Sequence, residues 1–104
     1  MGLTPEAKVK LQVRRILDGL SIYYFFPPAN GYGRAGIPDI ILCYQGYFGA
    51  IECKAGKGQL TALQQRELDT IDEHGGFTFV AREDNLDGLK EALKCWMEKN
   101  SCTG

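Results

Sequence analysis

Apolar positions recur every three or four residues near the N-terminus, at Val9, Val13, Ile16, Leu17 and Leu20, as on one face of a helix. Thr4 followed by Pro5 supplies an N-cap and a first helical residue, and the pattern stops near Gly19. Ser21 to Phe26 is β-branched and aromatic, which predicts a strand that Pro27-Pro28 must end. A glycine-rich loop, 29–36, follows. Pro38 to Tyr44 and Tyr47 to Lys54 flank Gln45-Gly46, the pattern of a β-hairpin. Ala55 to Gly58 reads as a loop, and Leu60 to His74 as a helix stopped by Gly75-Gly76. Phe77 to Ala81 is short and continuously apolar, as expected of a strand covered on both faces. Asn85 to Lys99 closes the chain as an amphipathic helix with Leu86, Leu89, Leu93, Trp96 and Met97 inward. The order is αβββαβα. A hairpin, a crossover helix and a further strand predict a mixed sheet with one parallel step, flanked by helices in an α/β architecture.

Composition narrows this picture without redirecting it. The 104 residues suffice for one domain, 1–104, with a single core. No apolar run reaches the roughly 18 residues of a membrane span, and the N-terminus lacks the profile of a secretory signal. The expected location is cytoplasmic, in the host if the source is viral, with no membrane partner. The net charge of −1 gives no global basic field, so any phosphate contacts must come from local clusters. Cys43, Cys53, Cys95 and Cys102 form no CxxC pair, which argues against a disulfide framework or a zinc site. Gly31-Tyr32-Gly33-Arg34-Ala35-Gly36 matches GxGxxG literally. A dinucleotide site needs a helix opening inside that motif, whereas Pro38 and Ile40-Ile41-Leu42 follow, so no nucleotide cofactor is expected.

The candidate chemistry lies on the hairpin. Glu52 and Lys54 are two apart on a strand and leave the same face. Asp39 opens the partner strand, so all three can meet at one end of the sheet. Two carboxylates there, with the backbone carbonyl of Cys53, are hard oxygen ligands suited to Mg²⁺. Burying Glu52 and Lys54 without partners would cost several kcal/mol per ion, and a metal with an oriented lysine resolves that cost. Such a metal would offset charge in a phosphoryl-transfer transition state, while Lys54 would orient or deprotonate the attacking water. Taken alone, a Glu-x-Lys pair is usually an exposed ion pair, and Asp39 after Pro38 is common turn chemistry. The combination is what points to a site.

Gly36-Ile37-Pro38-Asp39 followed by Ile51-Glu52-Cys53-Lys54 resembles the signature of the PD-(D/E)XK nuclease superfamily. More narrowly, with Gly58-Gln59-Leu60-Thr61-Ala62-Leu63-Gln64 and a helix ending in Gly75-Gly76, the chain resembles the VRR-NUC (virus-type replication-repair nuclease) family from about Glu6 to Ala81. The resemblance implies a restriction-endonuclease-like core of order αβββαβ, here with an extra C-terminal helix. It implies Mg²⁺ or Mn²⁺, and hydrolysis of DNA phosphodiesters. It makes Asp39 and Glu52 metal carboxylates, Lys54 the catalytic lysine, Gln64 the helix glutamine and Glu6 an acidic residue of the first helix. Both Glu6 and Gln64 also lie on apolar stripes, Glu6 with Val9 and Val13, Gln64 with Leu60, Leu68 and Ile71. Each has a plainer reading: Glu6 complements the helix dipole, and Thr61-x-x-Gln64 is a capping box.

Around these residues, Lys54, Lys57 and Arg66 lie near the expected site, and Arg34 is placed to meet a phosphate. Lys8, Lys10, Arg14 and Arg15 give the first helix a basic exposed side that could track a DNA backbone. Scattered helix charges and a loop arginine are as readily a solvated surface. His74 reads as a partner of a helix C-terminus. By resemblance, stand-alone proteins of this size act as homodimers on branched DNA such as Holliday junctions, with Tyr23, Phe25 and Trp96 as exposed interface candidates. The alternatives are a nuclease on linear, nicked or flapped DNA, and a catalytically silent nucleic-acid-binding module of the same fold. A small metal-binding protein unrelated to DNA would leave Lys54 and the basic clusters unexplained.

Overall fold

The first helix, α1 (Pro5–Gly19), begins where Thr4 Oγ1 accepts a hydrogen bond from the Ala7 N–H at 3.1 Å. It ends at Gly19, where the apolar pattern stops, but the residues just beyond differ from the sequence expectation. Ser21 takes a left-handed conformation (φ 58°), while the Ser21 and Ile22 N–H groups donate to the Asp18 and Leu17 carbonyls. This closes the helix in the manner usually left to glycine. Ser21 is thereby spent on the cap and Ile22 on the core, so the strand β1 covers only Tyr23–Phe25 rather than 21–26. The computed structural model describes residues 2–28 and 33–101, and the start of the glycine-rich loop, with Gly31 and Tyr32 of the GxGxxG match, lies outside them, as does Cys102.

Strands β2 (Ile40–Tyr44) and β3 (Tyr47–Cys53) form the expected antiparallel hairpin, with Ile40 opposite Ile51 and Tyr44 opposite Tyr47. Gln45 (φ 53°) and Gly46 (φ 83°) are both left-handed, the two-residue turn whose twist suits a hairpin. Helix α2 (Ala62–Glu73) follows, then β4 (Phe77–Ala81), parallel to β3, and α3 (Leu86–Lys99). The sheet order is β1-β2-β3-β4, mixed as expected. β4 lies at the edge of the sheet, yet α2 packs on one of its faces and α3 on the other, as the continuous apolar run predicts.

Alternation along the strands divides the sheet into two unlike faces. Leu42, Ile51, Cys53 and Ala81 join Val13 and Leu17 of α1 and Leu89 and Leu93 of α3 in one core cluster, all completely buried. The other face carries Glu52 and is covered by α2 over β3 and β4. Tyr23 (68% exposed), Phe25 and Phe48 remain open on it. Trp96 is no surface candidate: it packs on Phe77, with ring centroids 5.1 Å apart, and on Tyr44. No described helix is long and apolar enough to cross a membrane.

Candidate active site

Asp39 stands one residue before β2, where the ladder runs out. One carboxylate oxygen, Oδ2, accepts a hydrogen bond from the Cys53 N–H at 2.8 Å, standing in for a main-chain carbonyl. On the far side of β3 the Lys54 N–H donates to the Ala81 carbonyl at 2.9 Å. The N–H and C=O of a strand residue point the same way, so the Cys53 carbonyl faces the Asp39 side. Asp39, Glu52 and the Cys53 backbone thus share one end of the sheet.

Glu52 is the only described polar or charged residue that is buried, at 3% exposure. Gln64 holds it: Gln64 Nε2 donates to Glu52 Oε2 at 3.3 Å, while Gln64 Oε1 accepts from the Thr61 N–H at 3.0 Å. The Gln64 N–H in turn donates to Thr61 Oγ1, completing a capping box. Gln64 thus makes two contacts at once: its amide oxygen caps α2 and its amide nitrogen reaches the Glu52 carboxylate. Lys54 Nζ lies 3.9 Å from Glu52 Oε2, with the lysine side chain 14% exposed. Burial first, and then the negative charge of Asp39, push the Glu52 carboxyl up to about 8, and Lys54 opposes this only in part.

Such a carboxyl is one whose charged form lacks a strong enough cation. The donor set, two carboxylates with a backbone carbonyl beside them, fits a hard divalent ion, which would be held by Asp39, Glu52 and Cys53 O. Glu6 does not complete this set. Its side chain is 46% exposed and meets Lys10 Nζ at 3.3 Å, and no three described His, Cys, Asp or Glu residues cluster as metal ligands. The expectation that Glu6 points inward from the first turn is corrected accordingly. It lies at the rim.

Lys10 departs furthest from the sequence reading, which gave it to the exposed side of α1. Its Nζ bridges Glu6 and, at 3.6 Å, Asp39 Oδ1. Burial works against its charge, but Asp39 and Glu6 outweigh this and hold the ammonium above its ordinary range. A signal was present: Lys10 is in register with Val13 and Leu17, so a charge there had to find a partner.

Lys8, Arg14 and Arg15 are exposed as expected, although Arg14 and Arg15 sit about 12 Å along the helix axis from Glu6. Lys57 and Arg66 are exposed on the segments that flank Lys54 and Gln64. Arg34 stays exposed, with 74% of its side chain open to solvent, but it is not without a partner. It pairs with Glu67 of α2, at 3.1 Å from Nη2 and 3.2 Å from Nε to the same oxygen. The same loop brings Gly36 (φ 85°) so close to α2 that a Cβ would fall 2.6 Å from the Leu63 carbonyl oxygen. Only glycine fits there. Two further residues went unread in the sequence: Glu83 accepts from the Gly56 N–H at 2.7 Å and Arg82 donates to the Gly56 carbonyl, pinning the loop after Lys54. His74 donates from Nδ1 to the Thr70 carbonyl at 2.8 Å, at the end of α2. Burial pushes the Cys53 thiol up to about 12, so it stays a neutral apolar group.

No family model and no curated protein matches this sequence. The fold does have solved counterparts. A structure described as a VRR_NUC domain superposes with a TM-score of 0.72 at 23% identity, over 86% of this chain and 97% of that one. Another, described as a VRR_NUC domain protein, gives 0.66 at 22%, over 94% and 91%. The chain therefore has the VRR-NUC fold, a restriction-endonuclease-like α/β arrangement of a four-stranded mixed sheet and three helices.

Proposed function

We propose that this protein is a divalent-metal-dependent nuclease that hydrolyses DNA phosphodiester bonds. The observation that carries the reading is the convergence of Asp39, buried Glu52 and Lys54 at one end of the hairpin, with Gln64 fixing Glu52. The fold likeness supports it. Mg²⁺ or Mn²⁺ at Asp39, Glu52 and the Cys53 carbonyl would supply charge stabilisation at the phosphoryl oxygens and lower the pKa of water. Lys54 orients the attacking water, being held beside Glu52 one residue past β3, with its N–H tied to the Ala81 carbonyl and its side chain partly shielded from solvent. Gln64 keeps the Glu52 carboxylate from rotating. Lys57, Arg66 and Lys8 are exposed cations for the DNA backbone, and Arg34 joins them on release from Glu67.

The finer reading is a homodimer acting on branched DNA such as Holliday junctions. Tyr23, Phe25 and Phe48 leave an apolar surface open for a second copy, on the same sheet face as Glu52. Twofold pairing there would set two sites in fixed relation, one for each opposing strand. The test is cleavage of labelled four-way junction, flap and linear duplex with Mg²⁺, Mn²⁺ or EDTA, alongside the mass of the protein in solution. Symmetric junction cutting by a dimer is the expected result. Equal cutting of every substrate, or a monomer that nicks one strand, would remove the junction reading but keep the nuclease. Binding without cleavage under all conditions would leave a silent nucleic-acid-binding module.

A further inference from the structure

The two oxygens of Asp39 have different partners. Oδ2 is committed to the Cys53 N–H at 2.8 Å, a bond that holds the end of the hairpin. Oδ1 is the oxygen left for a cation, and Lys10 Nζ is on it at 3.6 Å. The same ammonium meets Glu6 at 3.3 Å, one helical turn back along α1. It is only partly exposed (34%), so its charge is not simply dissolved in water. An ammonium and a divalent ion draw on the same lone pairs, and their charges repel.

We infer that Lys10 is the resident cation of Asp39, a positioning residue that a divalent ion must displace and that thereby sets how tightly the site holds metal. Glu6 serves as the alternative seat for the released ammonium, keeping it at the rim of the site. This explains why a helix acid stands beside the site without joining its carboxylates. It rests on the metal-site reading of Asp39 and Glu52.

The test is calorimetric titration of Mn²⁺ alone into the DNA-free protein. Lys10→Met is expected to bind Mn²⁺ about two- to fivefold more tightly than wild type, the range of a partly exposed ion pair. Lys10→Arg keeps the charge and is expected to stay near wild type. Lys8→Met removes a charge from the same helix away from Asp39 and is expected to change little. Thermal unfolding of each variant checks folding, and Lys10→Gln replaces the methionine variant if that one is unfolded. Unchanged or weaker Mn²⁺ binding by Lys10→Met overturns the inference, as does equal tightening by Lys8→Met. A folded wild type that binds no Mn²⁺ overturns the metal reading as well, which separates that failure from the failure of Lys10 alone.

Discussion

The two faces of β3 show what each side of this molecule is for. Ile51 and Cys53 point to α1 and α3 and are completely buried among aliphatic side chains. Ala50, Glu52 and Lys54 point the other way, toward α2, and two of these three carry charge. One face is dry and self-sufficient. Full burial of each Val or Leu there contributes about 1.5–3 kcal/mol. The other face spends stability, since Glu52 is buried beside the like charge of Asp39, with a glutamine amide on it and a lysine 3.9 Å away. A single strand thus joins the stabilising layer to the face of the proposed site, and the packing of the first holds the geometry of the second.

The comparison breaks most sharply at Lys54. Lys54→Ala is expected to lower DNA cleavage by about a hundred- to ten-thousandfold while the unfolding midpoint barely moves, measured by single-turnover assay beside thermal melts. Leu17→Ala, on the opposite face, should do the reverse. It should cost about 2–5 kcal/mol in denaturant unfolding, with cleavage intact wherever the protein is still folded. A mutation on either face that moves both readouts equally would contradict the division.

Glu52 sharpens it through pH. The ordinary carboxyl range lies near 4.5, and the folded group is pushed up to about 8. Between those values the folded protein holds a proton that the unfolded chain has released, so metal-free stability falls as pH rises. The unfolding midpoint without metal should drop by several degrees from pH 5 to pH 8. Glu52→Gln should flatten that slope, and Mn²⁺ should restore the midpoint more at pH 8 than at pH 5. A smaller effect is expected at the cap of α2: Thr61→Ala removes the acceptor for the Gln64 N–H and should cost about 1 kcal/mol. Because Gln64 also holds Glu52, it should lower cleavage slightly too. The smallest is Arg34→Ala, where an exposed pair with Glu67 is lost and stability should change by less than about 1 kcal/mol.

The hairpin and the convergence of its charged side chains were legible because several local rules agree there. Gln45-Gly46 specifies the turn, alternation specifies the faces, and the register then brings Asp39 to the level of Glu52. Gln64 was legible from its place on an apolar stripe, and its second role as a cap from the Thr61 spacing. What escaped depended on partners far apart in sequence. Lys10 and Asp39 are brought together only when α1 packs on β3, and nothing local distinguishes Lys10 from Lys8 except register with Val13 and Leu17. The pairing of Arg34 escaped because Glu67 lies 33 residues away. Ser21 was read into a strand because a left-handed cap on a non-glycine residue leaves no trace in propensity.

The most direct test of the account is cleavage of one labelled DNA duplex or junction by wild type and Glu52→Gln, each with Mg²⁺ and with EDTA. Glu52→Gln keeps the size of the side chain and its place beside Gln64, and removes only the charge. The account predicts cleavage by wild type with Mg²⁺ alone, none with EDTA, and none by a folded Glu52→Gln under either condition. Cleavage that survives EDTA or survives Glu52→Gln would contradict it, as would a folded, Mg²⁺-loaded wild type that cuts nothing.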